Sequence, residues 1–246
     1  MDQEAEEFFY SHTMTREPEE FFHSPSYLAI NAARMRHLES LVRPTVAPGA
    51  TILEVAAGIG DLTPFWVRGG HSVTATEARP ENIAAFSRRH PSVPVVQHDL
   101  ESADPLPGPN EIVHAYGVLY HLGDPAHGLA QMAKACSQTL LLETCVSFGD
   151  EPQVNLVDEP AANPTQALRG LGCRPTRRWI YDQLTLHFPY VYLPLTQPDH
   201  PEFPLDWTEP GSAAHGLARS VFVASRRPVR SSALSAELLM RQTVDP

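Results

Sequence analysis

Residues 51–63, TILEVAAGIGDLT, run mainly apolar to Val55 and then break into small residues at Ala56, Ala57, Gly58 and Gly60. An apolar segment that passes through a glycine-bearing turn into the helix-like stretch 62–68 reads as strand, turn, helix. Small side chains leave the backbone of the turn bare, so another group can lie directly on it. Such a turn also serves plain tight packing of helix on strand, and the rest of the chain has to separate the two readings.

Outward from this turn the same rhythm repeats. Strand-like segments at 72–76, 93–97, 111–117 and 138–144 alternate with helix-like segments at 80–89 and 125–136. That alternation predicts an α/β fold, a doubly wound parallel sheet with helices on both faces. TLLLETCV is apolar on both parities until Glu143, as a central parallel strand should be. Asp61 is the expected N-cap of the first helix, Pro64 is tolerated in its first turn, and Gly69 closes it.

Upstream, Leu28, Ala32, Met35 and Leu38 recur at helical spacing from Pro25 to Leu41, and RPTVAPGA is expected to end that helix. Residues 1–24 alternate acidic and aromatic runs, a lid or an edge of the core. Downstream of Val146 the rhythm lapses. Residues 147–175 show no clear period, then TRRWIYDQLTLHF reads as a helix, and YVYLPL and GLARSVFVAS read as strands. The last twenty or so residues carry a weak helical pattern in SSALSAELLMRQ.

Composition narrows the partners. The chain has 246 residues, 42% hydrophobic and 19% charged, and a net charge of −11. Nucleic-acid binders usually show a basic face. The densest basic group here is Arg174, Arg177 and Arg178, a local site for a carboxylate or phosphate or simply a solvated helix start. A nucleic-acid partner is therefore disfavoured. An acidic N-terminus without a signal-peptide pattern, no membrane-spanning apolar run and three unevenly spaced cysteines point to a cytoplasmic protein with no membrane partner. Oligomeric state is open. No HxxxH or HxH spacing supports a metal around Asp199 and His200, so none is expected.

In a doubly wound sheet, ligands bind outside the carboxyl ends of the strands. GxxxxGK[ST] and GxGxxG are both missing from the first turn. Instead a carboxylate stands near each of three successive strand ends. Glu54 suits a ligand carrying positive charge or donors, Glu77 can take both hydroxyls of a ribose, and Asp99 can accept from an adenine amino group with Leu100 against the ring.

With these residues in place, the chain resembles the class I S-adenosylmethionine-dependent methyltransferases over roughly residues 51–145. ILEVAAGIG, ATEARPEN, QHDL and EIVHAYGVLYHL look like their first four motifs. Ala56 stands where the family usually has its first glycine, a mild change. The resemblance implies S-adenosyl-L-methionine as cofactor and S-adenosyl-L-homocysteine as product. It implies a cofactor site of Glu54, Ala56, Gly58, Gly60, Glu77, Ala78, Asp99, Leu100 and Tyr116. It also implies a seven-stranded sheet with the last strand antiparallel, in one domain over 1–246: a helical cap at 1–45, a Rossmann-like core at 50–228 and a tail at 229–246. The first 40 residues and the loops 146–175 and 196–216 are expected to close over the transfer point.

Methyl transfer needs alignment first and a base second. Tyr116, Tyr120 and His121 are the catalytic candidates beyond the fourth strand, with His121 the natural base near neutral pH. His121 could instead tie its loop to the sheet, and His114 reads as a packed core histidine. The resulting expectation is methylation of a small metabolite at oxygen or nitrogen, in bacterial specialised metabolism. The alternatives are a transfer-RNA wobble-uridine enzyme, a nicotinamide oxidoreductase and a non-catalytic cofactor-binding protein.

Overall fold

The computed structural model describes residues 17–210 and 216–245. Of the expected lid segments, residues 1–16 and 211–215 lie outside the described residues. The main sheet is built from β1 (Thr51–Glu54), β2 (Ser72–Glu77), β3 (Val95–Gln97), β4 (Asn110–Tyr116) and β5 (Cys136–Val146), all parallel. Strand β8 (Tyr190–Pro194) and β10 (Ala218–Ser225) extend it, with β10 antiparallel between β5 and β8. With β11 (Leu234–Ser235) at the far edge, the order is β3-β2-β1-β4-β5-β10-β8-β11, so winding reverses between β1 and β4. The sheet has eight strands, not seven, because β11 (Leu234–Ser235) in the C-terminal tail pairs with Leu193 and Pro194 of β8. The weak helical spacing of the tail is thus overridden by pairing with an edge strand, and a second tail segment, β12 (Thr243–Val244), pairs with β9 (Thr196–Gln197).

Alternate residues of each central strand enter opposite cores, which is why these strands read as continuous apolar runs. Leu53, Val113, Leu140 and Phe222 pack beneath α5 (Pro125–Ala135) and α6 (Arg177–His187). Ile52, Ile112, Leu141 and Val221 face α2 (Pro25–Thr45) and α3 (Thr63–Arg68). Helix α2 continues through Pro44 instead of stopping before it. A proline in the last turn forfeits little, since few intrahelical bonds remain there to lose.

Asp61 does not cap α3: Leu62 holds the N-cap position without a side-chain bond. The Asp61 carboxylate instead accepts from Arg89 Nη2 at 2.6 Å, tying the first turn to α4 (Pro80–Arg89). The aperiodic stretch 147–175 contains an antiparallel hairpin, β6 (Val154–Asp158) with β7 (Leu171–Pro175), whose tip reaches back over the carboxyl ends of β2 and β3. A short α1 (Pro18–Phe22) precedes α2 and lays Phe22 on the first turn. Among the described residues, no helix is long and apolar enough to cross a membrane.

Candidate active site

Two adjoining clefts open at the carboxyl ends of the strands, where the winding reverses. The larger, about 720 Å³ and partly open to solvent, runs over β2 and β3. Val55, Ala56 and Gly58, Glu77 to Arg79, Asp99 to Glu101, and His121 line it, roofed by Phe22 and by Pro164 to Gln166 and Leu168 of the hairpin tip. The second lies over β1 and β4 and is lined by Asn31, Arg34, Glu54, His114 and Tyr116, among others. Ala56 and Gly58 border both.

The turn between β1 and α3 is left-handed at Ala56 (φ 52°), Gly58 (φ 58°) and Gly60 (φ 81°). A Cβ on Gly58 would fall 2.8 Å from Phe22 Cε1, so the bare backbone is covered by an aromatic ring. Gly60 borders neither cleft; a Cβ there would meet His90 and Phe86, which makes its smallness a packing requirement. Ala56 carries a side chain in the region L-residues avoid, so the replacement of the family's glycine is less mild than expected.

Glu77 at the end of β2 is buried. Its Oε2 accepts from Gly58 N–H at 2.9 Å, and its Oε1 accepts from Arg79 N–H at 3.0 Å and Asn82 Nδ2 at 3.4 Å. Burial pushes its pKa up, against the pull of those donors. Asp99 is engaged by Arg169, at 2.6 Å from Nη2 and 3.2 Å from Nε, and its other oxygen accepts from Glu101 N–H. Ala78 and Leu100 complete this wall.

In the second cleft, burial pushes the Glu54 carboxyl up to about 7 while Thr63 Oγ1 donates to it at 2.6 Å. The Tyr116 hydroxyl is buried without a partner among the described residues, and burial raises its pKa. Arg34 of α2 donates to Glu143 Oε2 at 2.6 Å, and Arg219 of β10 donates to Glu143 Oε1 at 3.2 Å. The lone carboxylate in the apolar run of β5 is therefore the point to which α2 is anchored.

His121 lies in a 3₁₀ turn after β4 (Leu119–His121) and borders the larger cleft, its side chain 15% exposed. Its Nδ1–H donates to Glu159 Oε2 at 2.5 Å. Burial, with Arg219 and Arg174 nearby, holds the imidazole below its ordinary value despite this carboxylate. Burial alone would raise Glu159, but hydrogen bonds from His121, Ala167 N–H and Arg174 outweigh it and hold the carboxyl low. Tyr120 borders neither cleft; its ring lies tilted against His121 with centroids 4.0 Å apart, and its hydroxyl accepts from Arg219 at 3.4 Å.

The three clustered arginines part company. Arg174 bonds Glu159 at 3.1 Å, Arg177 is buried over the Trp207 ring at 4.0 Å, and Arg178 pairs with Asp182 on the surface. Residues 196–210 line neither cleft, so of the three expected covers only the N-terminal segment and the hairpin reach the site among the described residues. Asn82 and Glu159 went unread in the sequence, and Phe22 was read only within an aromatic N-terminal run, as a lid or an edge of the core. For Asn82 the signal was local: an amide in the first turn of the helix that follows Glu77.

The family model of the methyltransferase domain matches residues 53–139, from within β1 to the first residues of β5, and takes in Glu77, Asp99 and His121 of the larger cleft. Those residues match a methyltransferase domain, on the Rossmann-like fold of the class I enzymes. This class takes its methyl group from S-adenosylmethionine. Among solved structures, the N-terminal domain of EvdMO1 with SAH and D-fucose aligns over 83% of this chain and 84% of its own, at 19% identity and a TM-score of 0.63. Magnesium protoporphyrin IX methyltransferase from Synechocystis aligns over 92% and 98%, at 13% identity and a TM-score of 0.57. The glycopeptide N-methyltransferase MtfA aligns over 84% and 98%, at 19% identity and a TM-score of 0.53. No curated protein matches the chain in sequence.

Proposed function

We propose that this methyltransferase acts on a small hydroxyl- or amine-bearing metabolite, with His121 taking the acceptor's proton. The observation that carries the reading is a cleft-bordering imidazole whose Nδ1–H is fastened to Glu159, leaving Nε2 as the basic nitrogen. Burial holds the ring neutral near pH 7, the form a general base needs.

The clefts fit the cofactor on their own chemistry. Asn82 Oδ1 and the Tyr116 hydroxyl are buried on the walls without partners among the described residues, and Glu77 keeps acceptor capacity beyond its three donors. Glu77 and Asn82 would hold the ribose, Asp99 and Leu100 the adenine, and Glu54, Ala56 and Tyr116 the methionine end. When bound, the cofactor supplies an electrophilic methyl group on a sulfonium. The chain's part is to align the acceptor, exclude water under Phe22 and the hairpin tip, and receive one proton at His121.

A small acceptor is supported by the cover over the site and by the acidic balance of the chain, which opposes a polyanion. A sugar accompanies the EvdMO1 domain and a glycopeptide is the substrate class of MtfA, both consistent with polar, multiply hydroxylated acceptors. The test is calorimetric binding of S-adenosylhomocysteine, followed by a mass screen of metabolite pools for products heavier by one methylene. Absence of binding would remove the reading at its first step.

A further inference from the structure

One oxygen atom joins the candidate base to the cover of the cofactor cleft. Glu159 Oε2 accepts from His121 Nδ1–H at 2.5 Å and from Ala167 N–H, in the hairpin tip, at 2.8 Å. The other oxygen, Oε1, accepts from Arg174 Nη2 at 3.1 Å, so the carboxylate is fixed from both sides. The tip is held down in turn from the cofactor side. Arg79 Nη2 donates to the carbonyls of Ala161, Gln166 and Ala167, and Asn82 Nδ2 donates to that of Pro164. Pro164, Thr165, Gln166 and Leu168 then roof the cleft in which Glu77 lies.

We propose that Glu159 is a positioning residue that couples closure of the hairpin tip over the cofactor to the orientation of His121. The inference rests on the reading of His121 as the base. With the tip down, Ala167 N–H and Arg174 aim the carboxylate at Nδ1. The imidazole is then fixed in the tautomer that leaves Nε2 free to accept a proton. With the tip raised, the carboxylate loses one donor and its direction. The enzyme is thereby armed when the cleft is covered, and the base is unaligned when it is open.

The groups facing His121 are Glu159 and Arg174 from the hairpin, Arg219 from β10 and Tyr120 beside it in the turn. Glu159 is the one anion of that set, so its removal should lower the imidazole's basicity further. Tip closure linked to ligand also requires that S-adenosylhomocysteine change the environment of His121 through Glu159, beyond any direct effect in the cleft that His121 borders.

The experiment is carried out on the full chain with S-adenosylhomocysteine as probe. Amide exchange over 161–168 reports tip closure, and ¹³C-histidine resonances, with His121 assigned through His121→Asn, report the ring. In the wild type the probe should slow tip exchange about tenfold and move the His121 titration. In Glu159→Gln the titration midpoint should fall and should no longer respond to the probe, while Glu159→Asp should restore part of the response. On any acceptor identified by the mass screen, the acid limb of the Glu159→Gln rate profile should move to lower pH. A His121 titration that responds to the probe equally in wild type and Glu159→Gln overturns the coupling, as does tip exchange that ignores the probe. Should Glu159→Gln not fold, Glu159→Asp decides, through a probe response weaker than or equal to that of the wild type. The base reading fails separately, if His121→Asn keeps full turnover while the coupled responses remain in the wild type.

Discussion

Glu54 Oε1 and His114 Nδ1 stand 3.9 Å apart at paired positions of β1 and β4, yet they are not an ion pair. Trp66 Nε1–H donates to the same His114 nitrogen at 3.1 Å, which leaves no proton on it to share. Burial, reinforced by Arg34, pushes His114 down to about 3, while burial pushes Glu54 up to about 7. Both groups prefer to be neutral in the fold.

Their effects on stability have opposite signs. Between about pH 3 and 6.5 the unfolded chain holds a proton that folded His114 refuses, so this contribution is lost as pH falls through that window. Between about 4.5 and 7 folded Glu54 holds a proton that the unfolded chain releases, so stability is lost as pH rises. From about 4.5 to 6.5 the two slopes cancel. His114→Asn should uncover a falling limb and Glu54→Gln a rising one, each about 1.4 kcal/mol per pH unit. Urea midpoints at several pH values read this directly, and parallel curves for wild type and both variants would refute it.

Ala56→Gly should be neutral or stabilising. A left-handed alanine costs roughly 1–2 kcal/mol, against an entropic cost of roughly 0.5–1 kcal/mol for introducing glycine. A gain of up to about 1.5 kcal/mol corresponds to roughly 3–6 °C in melting temperature for a chain of this size. Ala133→Gly, inside α5, is the matched control and should lose about 1 kcal/mol. Equal losses in the two variants would show that Ala56 is unstrained.

Gly58→Ala should do the reverse. The new Cβ meets the left-handed penalty at φ 58° and must displace the Phe22 ring, 2.8 Å away. The backbone part of the loss should be at most about 1.5 kcal/mol, the left-handed penalty less the entropy regained on removing glycine. Phe22→Leu in the same background should relieve the contact without recovering the backbone term. Complete rescue by Phe22→Leu would place the whole cost in the ring contact.

The elements that were legible in the sequence are those whose causes are local. Pro80 to Arg89 forms the helix expected over 80–89, and His114 is the packed core histidine expected of its place in a strand. What escaped depends on partners far along the chain. Asp61 has the chemistry of an N-cap, but Arg89, 28 residues away, takes it. Glu159 follows an exposed strand with no alternation, and its partner His121 lies 38 residues earlier. Arg34 and Glu143 are 109 residues apart, and the sole hint was one carboxylate in an apolar run. In the tail, two short pairings with β8 and β9 outweigh helical spacing that had no cap or core to support it.

Glu77 and Asp99 are both proposed to hold the cofactor's nucleoside, and the structure around them predicts different behaviour on substitution. Glu77→Gln would turn an amide toward the N–H of Gly58 or of Arg79 and leave a buried donor unpaired. Binding of S-adenosylhomocysteine should weaken by about 1.5–3 kcal/mol, the range for hydrogen bonds to a charged group, with a loss of stability beside it. Asp99 sits nearer solvent, and Arg169 already occupies one of its oxygens. If Asp99 accepts from the adenine amino group, Arg169→Ala should tighten binding or leave it unchanged, since the competing donor is gone. Asp99→Asn should weaken binding at low and high salt alike, because the contact it loses is a neutral donor's hydrogen bond. Calorimetric titration of the three variants at two ionic strengths decides between the roles. Weaker binding in Arg169→Ala, relieved by adding Asp99→Asn, would assign the pair to closing the hairpin and take the adenine away from Asp99.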